Sequence, residues 1–526
     1  MSVNQRFRPR AHAAAVSILA FCVGVAAQGA EPGACEKLAQ FSLPGVNLAI
    51  TKTEHLAARP AEHPPGRPGF AGQLPARCRV EGVIDQRVGV AGVAYGIHFA
   101  LALPDEWNGR FLFQGGGGLN GSVQPPLGAA AAGDTPALAH GFAVVSNDTG
   151  HQGAVFDASF YADQEAMLNF LYAANGKVAP VAKALVDAYY RRPAERSYFV
   201  GCSTGGREAM MMSQRYPGLF DGIVAGAPAM RTGYSNLGMR SVSVALATAA
   251  RRDGEGKVIP GSALSAGDKE LVVHGALAAC DAKDGLADGL IEDPIGCDFD
   301  PAVLTCSGPK TDQCLSSTQV AAVKKAMAGP KSVTGRQVYP GYLYDTGIGT
   351  TARGSIPGVL NGAASPVGPN PPPAEQDVDA EAAAAAVAPS SFGDTAQWTN
   401  LSTFRAHGGK LLFYHGVSDP WFSALDTVRY YRALANANGG LDETRTWSRL
   451  FLVPGMGHCA GGEATLDRFD MLSAIVDWVE KGRAPASVTA TGASFPGRSR
   501  PLCPYPQHAQ YSGKGDSEQA GNFACR

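Results

Sequence analysis

The pentapeptide Gly201-Cys202-Ser203-Thr204-Gly205 constrains this chain more than any other stretch. The apolar run Ser197-Tyr198-Phe199-Val200 precedes it. Gly205-Gly206-Arg207-Glu208-Ala209-Met210-Met211-Met212 follows with the composition of a helix. A strand that turns into a helix over so few residues is crowded and strained. Small residues are therefore needed two before and two after the central serine, whose hydroxyl is lifted clear of the backbone. The same pattern occurs in ordinary glycine-rich turns. Its setting between a strand and a glycine-rich helix start predicts a nucleophile at Ser203.

The surrounding pattern alternates strands with helices. Strand-like runs lie at 96–103, 110–114 and 142–146, and helical patterns at 165–174 and 177–190. After the elbow helix, Gly222-Ile223-Val224-Ala225 reads as another strand, closed by Gly226-Ala227-Pro228. Such alternation implies an α/β class with a largely parallel sheet covered on both faces. The character changes from 231 to 400. That stretch carries several cysteines, an acidic glycine-bearing loop, the proline-rich 366–373 and the alanine run 382–386. It reads as an insertion above the sheet. The rhythm resumes at 410–416, with a helix near 424–436, a strand at 449–453 and an amphipathic helix at 467–481. Phe469, Leu472, Ile475, Val476 and Val479 share one face of that last helix. The division is thus a first core part at 28–230, the insertion at 231–400 and a second core part at 401–526.

Residues 1–27 read as a signal peptide. Arg6, Arg8 and Arg10 precede a short apolar run that ends in Val25-Ala26-Ala27. The run is too short to span a bilayer, so the mature chain is expected to be exported, to the periplasm or the medium. A net charge of −2 gives no electrostatic case for nucleic acid or an anionic membrane, and no protein partner is implied. Ten cysteines follow the leader, an even number that suits disulfides in an oxidising compartment. Spacing suggests three local bridges: Cys280 with Cys297, Cys306 with Cys314, and Cys503 with Cys525. The chain has no C-x-x-C pair of the kind zinc sites use.

A serine hydroxyl needs an imidazole to take its proton and a carboxylate to orient that imidazole. In α/β-hydrolases the order is serine, then acid, then histidine, each on a loop after a strand. Asp419 follows the strand at 410–416, and His458 follows the strand at 449–453, in that order. His415 is the rival base, but it lies at a strand end where a core hydrogen-bonding role is the simpler reading. The oxyanion hole is expected from the amide of Thr204 and from the run Gly115-Gly116-Gly117-Gly118, with Gly116 as the donor. Cys202 precedes the nucleophile and Cys459 follows the base, so a Ser203–His458 contact would bring the two sulfurs into bridging range. Trp421 and Phe422, just past Asp419, are candidates to pack against an aromatic substrate or simply into the core. The acidic loop 281–290 has carboxylates three and four residues apart, with glycine after two of them. It reads either as a plain acidic turn or as a calcium loop, and it does not match an EF-hand.

The constellation Cys202-Ser203, Asp419 and His458-Cys459 resembles the tannase/feruloyl esterase family, along nearly all of the mature chain. The resemblance implies an α/β-hydrolase core with a large lid inserted between its halves. It implies hydrolysis of small esters of aromatic acids through an acyl-enzyme, with mono(2-hydroxyethyl) terephthalate as an alternative substrate. It also implies pairing of Cys35 with Cys78. A structural calcium ion is implied in the lid, held by Asp281, Asp284 and Asp288 and by the carbonyls of Leu286 and Leu290, with no organic cofactor. Arg353 is the candidate cation for a carboxylate-bearing substrate, against its reading as a solvated loop residue. A non-catalytic binding protein on the same scaffold would be marked by loss of a triad member, and none is missing.

Overall fold

Nine strands build the central sheet of the computed structural model. It describes residues 1, 33–60, 73–351, 356–362, 365 and 375–526. The leader after Met1, Arg353 and the stretch 366–373 lie outside the described residues. The strands are β1 (Leu48–Leu56), β2 (Arg77–Val88), β3 (Ala94–Pro104), β4 (Arg110–Gln114), β5 (Ala143–Asn147), β6 (Arg196–Cys202), β7 (Gly222–Gly226), β8 (Lys410–Gly416) and β9 (Ser448–Val453). Their spatial order is β1-β2-β3-β5-β4-β6-β7-β8-β9. The six from β5 to β9 run parallel. The first three are antiparallel additions at one edge.

Helices cover both faces, and period-two alternation divides each parallel strand between two cores. Phe111, Phe113, Phe199 and Phe413 point to one core, shared with Val178, Leu185 and Met210. Leu112, Tyr198, Val200 and Leu412 point to the other, shared with Leu472 and Ile475. Burial on both sides makes these strands continuous apolar runs, and their sequence positions agree with the structure to within a residue or two. The antiparallel strands β1, at the sheet edge, and β2, beside it, were not anticipated. Lys52 and Glu54 in β1 face water on an edge, so their sequence carries no apolar run.

The insertion leaves the sheet after β7 and returns at β8, which are hydrogen-bonded neighbours. It packs its own core, including Val242, Leu246, Val272, Val323 and Ile348. Its helices include α1 (Thr232–Ala247), α2 (Ala266–Cys280) and α3 (Ser317–Ala328). Both α2 and α3 begin with a reciprocal capping box, Ser265 with Asp268 and Ser316 with Gln319, which satisfies otherwise orphaned amides. The helix expected at 467–481 starts later, as α4 (Met471–Lys481). Arg468 and Phe469 instead pair with the strand Val488–Thr491, and Asp470 caps the helix at the Ser473 amide.

Bridges join Cys35 to Cys78, Cys280 to Cys297, Cys306 to Cys314 and Cys503 to Cys525. Among the described residues, no helix is long and apolar enough to cross a membrane.

Candidate active site

Ser203 stands at the end of β6 with φ 65° and ψ −122°, a region that costs a non-glycine residue about 1–3 kcal/mol. The turn is so tight that a methyl group on Gly201 would lie 2.5 Å from the Gly205 carbonyl, and one on Gly206 would lie 2.2 Å from the Gly226 oxygen. Glycine is therefore obligatory on both sides of the serine. The helix that follows, Thr204–Arg215, starts directly beneath the hydroxyl.

The structure brings the acid and the base together. His458 Nδ1 lies 2.7 Å from Asp419 Oδ2. Asp419 is completely buried, and its other oxygen accepts the amides of Trp421 at 2.9 Å and Phe422 at 3.1 Å. Burial pushes its carboxyl up, but the charge of His458 and the bonds from His415 and His458 outweigh burial and hold it well below the ordinary carboxylate range. An ionised Asp419 fixes the proton on Nδ1 and leaves Nε2 as the base. His415, also fully buried, is engaged by Thr427 Oγ1 at 2.8 Å and the Phe422 carbonyl at 2.9 Å. It supports Asp419 from behind, 3.4 Å away.

Cys202 and Cys459 form a disulfide, with their Cα atoms 6.0 Å apart. His458 Nε2 is 3.7 Å from Cys459 Sγ, so the free ring nitrogen faces the bridged segment that carries Ser203. Among the described residues, Ser203 Oγ has no hydrogen-bond partner within 3.5 Å. Catalytic hydrogen bonds are commonly long without substrate and tighten when it binds.

The glycine loop requires one correction. Gly116 is not a free oxyanion donor: its amide donates to Glu208 Oε2 at 3.0 Å, and its carbonyl accepts the Gly205 amide. The Gly115 amide is likewise engaged, by the Val200 carbonyl. The amides of Gly117 and Gly118 make no backbone hydrogen bond among the described residues. Gly118 shares the cavity with Ser203 and Thr204. The Thr204 hydroxyl donates to the Gly118 carbonyl, tying the loop to the helix whose first amide is the other expected donor. Glu208 was missed in the sequence. It is buried, one helical turn past Thr204, and also accepts Asn120 Nδ2 at 2.7 Å. Nothing in a lone helical glutamate signals that it holds a loop 92 residues upstream.

A cleft of about 220 Å³ opens on Ser203 and Thr204. Core and insertion both wall it, with Leu119, Phe156, Phe170 and Met239 among its apolar sides. Trp421 and Phe422 line it as well, their ring centres 5.0 and 5.2 Å from that of His458. Asp394, from the insertion, is an acidic residue in this lining. Burial pushes its carboxyl up to about 7, against the pull of Arg231 and Arg207.

In the acidic loop, Asp281 and Asp284 are buried and Asp288 is partly exposed, with only its side chain covered. Asp281 accepts the amides of Asp288 and Gly289, and Asp288 pairs with Arg500. Asp284 Oδ2 is buried with no partner, and burial, with Asp288 and Asp281 adding to it, pushes the Asp284 carboxyl up to about 6. No cluster of three or more acidic, histidine or cysteine side chains is arranged to hold a metal among the described residues. The orphaned oxygen of Asp284 is the feature that fits a cation.

Comparison with known proteins gives a consistent picture. A family model described as "Tannase and feruloyl esterase" matches residues 78–375 and 370–526. The chain is 40% identical over 520 residues to a mono(2-hydroxyethyl) terephthalate hydrolase from Piscinibacter sakaiensis, covering 86% of this chain and 85% of that one. It is 31% identical over 462 residues to feruloyl esterase B of Aspergillus niger, covering 80% and 82%. The structure is similar to that of feruloyl esterase B from Aspergillus oryzae, with a TM-score of 0.75 and 27% identity over 94% of this chain and 99% of that one.

Proposed function

The chain belongs to the tannase and feruloyl esterase family and is a carboxylic ester hydrolase, and from that premise we propose that it cleaves small esters of aromatic acids through an acyl-enzyme on Ser203. The observation that carries this is the buried Asp419–His458 pair, bridged through Cys459 and Cys202 to the serine elbow beside an aromatic-lined cleft. Ser203 Oγ attacks the ester carbonyl while His458 Nε2 takes its proton. The charge that develops on the carbonyl oxygen meets the amides of Thr204 and of Gly117 or Gly118. The protonated imidazole then gives its proton to the departing alcohol. Water, deprotonated by the same nitrogen, frees the acid and restores Ser203. Asp419 stabilises the imidazolium in both halves without taking a proton itself.

Two acyl classes compete. Feruloyl esterase relatives favour hydroxylated aromatic acids, whereas the 40% identical relative favours a terephthalate monoester. Steady-state rates on methyl ferulate, methyl gallate and mono(2-hydroxyethyl) terephthalate decide between them. Turnover of at least one of the first two, with the third slower, is the expected result. Hydrolysis of the third alone would overturn the hydroxylated-acid reading.

We propose a structural calcium ion at the acidic loop, held first by the unpaired oxygen of Asp284, with Asp281 and Asp288 turning to it from the loop amides and Arg500 that they now engage and the Leu286 and Leu290 carbonyls completing the set. Support comes from the unpaired Asp284 oxygen and the mutual repulsion of the buried carboxylates. The ion would neutralise that charge and pin the loop. A chelator should lower the melting temperature, and added calcium should restore it; an unchanged melting curve would count against the site. Five disulfides support an oxidising destination, periplasmic or extracellular.

A further inference from the structure

We infer that Asp394 reads the acyl group of the substrate, accepting a hydrogen bond from a ring hydroxyl and rejecting an acid that carries a second carboxylate. The inference rests on the esterase reading and deepens it. Asp394 lies in the insertion and lines the cleft that contains Ser203. Among the described residues its carboxylate has no hydrogen bond and no ion pair within 4 Å. It faces a lining otherwise rich in apolar groups such as Phe170, Leu171 and Met239. A half-buried acceptor without a donor, inside a substrate cleft, is completed by a donor on the substrate. A phenolic hydroxyl is the donor that an aromatic acyl group can bring.

The two nearby cations do not offer the opposite specificity. Arg207 directs its terminal nitrogens to the carbonyls of Leu171 and Phe170, both at 3.0 Å, and stacks over the Phe170 ring. Arg231 is held by Asp426, with Nε 2.9 Å from Oδ2. Neither guanidinium presents a free fork to a second substrate carboxylate. Such a group would instead meet Asp394, and once that carboxyl is ionised, above about pH 7, two anions in an apolar cleft repel. Nothing in the sequence around Asp394 marked it, since a lone loop aspartate is ordinarily a turn or cap residue.

The test compares kcat/KM for methyl 4-hydroxycinnamate and methyl cinnamate, which differ by one ring hydroxyl. At about pH 8, above the value near 7 to which burial raises the Asp394 carboxyl, the wild-type enzyme should prefer the hydroxylated ester by about 10- to 100-fold, the range for a hydrogen bond to a charged acceptor. Asp394→Ala should reduce that ratio to about threefold or less, mainly through KM of the hydroxylated ester. Asp394→Asn is the isosteric check should the alanine variant fold poorly. A purely structural role for Asp394 would lower both rates together and leave the ratio intact. That result, or a wild-type enzyme indifferent to the hydroxyl, would overturn the assignment. If neither ester is hydrolysed, the esterase reading fails by itself. Calorimetric binding of free 4-hydroxycinnamate against cinnamate then reads the Asp394 contact alone: tighter binding of the hydroxylated acid, abolished in Asp394→Ala and weakened in Asp394→Asn, whose amide oxygen still accepts a neutral hydrogen bond, sustains it, and equal binding sinks it.

Discussion

Alanine at Ser203 is expected to lower kcat/KM for a methyl hydroxycinnamate at least about 10⁴-fold. Ser203 Oγ makes no hydrogen bond within 3.5 Å to another described residue, so removing it breaks no structural contact. The melting temperature should stay within about 2 °C of wild type. His458→Ala should cost about as much as Ser203→Ala, and the double variant little more, because the two groups act as one device. Residual activity would come from the amides of Thr204 and of Gly117 or Gly118, which still face a bound ester and a water molecule. Aryl-ester kinetics on the three purified variants check all of this. A Ser203→Ala enzyme within tenfold of wild type would remove the serine from the mechanism, and strictly additive losses would mean that the two residues do not act together.

The positions of Ser203, Asp419 and His458 at strand ends were legible because each is announced by local chemistry. Glycine is required on both sides of Ser203 by contacts as short as 2.2 Å. Asp419 and His458 each follow an apolar strand that is buried on both faces. A parallel sheet delivers the ends of adjacent strands to one edge, so chain order alone predicted where the two side chains meet. What stayed hidden depends on contacts between distant segments. The Gly115–Gly118 run looked like four equivalent donors. Which amides remain free was decided by Glu208 and Val200, and neither is marked as a partner of the loop. Asp394 was hidden for the same reason, because the insertion that carries it has no periodic pattern to align against the core. The edge strand β1 escaped notice because a half-solvated antiparallel strand looks much like a loop.

Removing the bridge between Cys202 and Cys459, by alanine at both positions, should lower kcat about 100-fold and the melting temperature by several degrees. The two losses have separate origins. The bridge closes a span of 257 residues, and the chain-entropy model gives such a crosslink roughly 5 kcal/mol, an upper figure since engineered removals often yield less. The catalytic loss comes from the loop that carries His458. Gly455, Gly457, Gly461 and Gly462 surround the histidine, and Cys459 holds a left-handed backbone angle of 66°. A loop of this composition has little stiffness of its own. The disulfide anchors it to the last residue of β6, a strand paired on both sides. Without that anchor the ring is oriented by the Asp419 contact and the packing of Trp421 and Phe422 alone, and a displacement of about 1 Å at a reacting group is enough for a 100-fold loss. The bridge between Cys306 and Cys314 is the control. It closes a span of 8 residues in the insertion, so its removal should cost about half as much stability by the same model and leave kcat near wild type. Kinetics and thermal melts on both double variants separate the effects. A Cys202/Cys459 variant that melts early but keeps wild-type kcat would show that His458 is held in place without the bridge, leaving the disulfide a purely stabilising role.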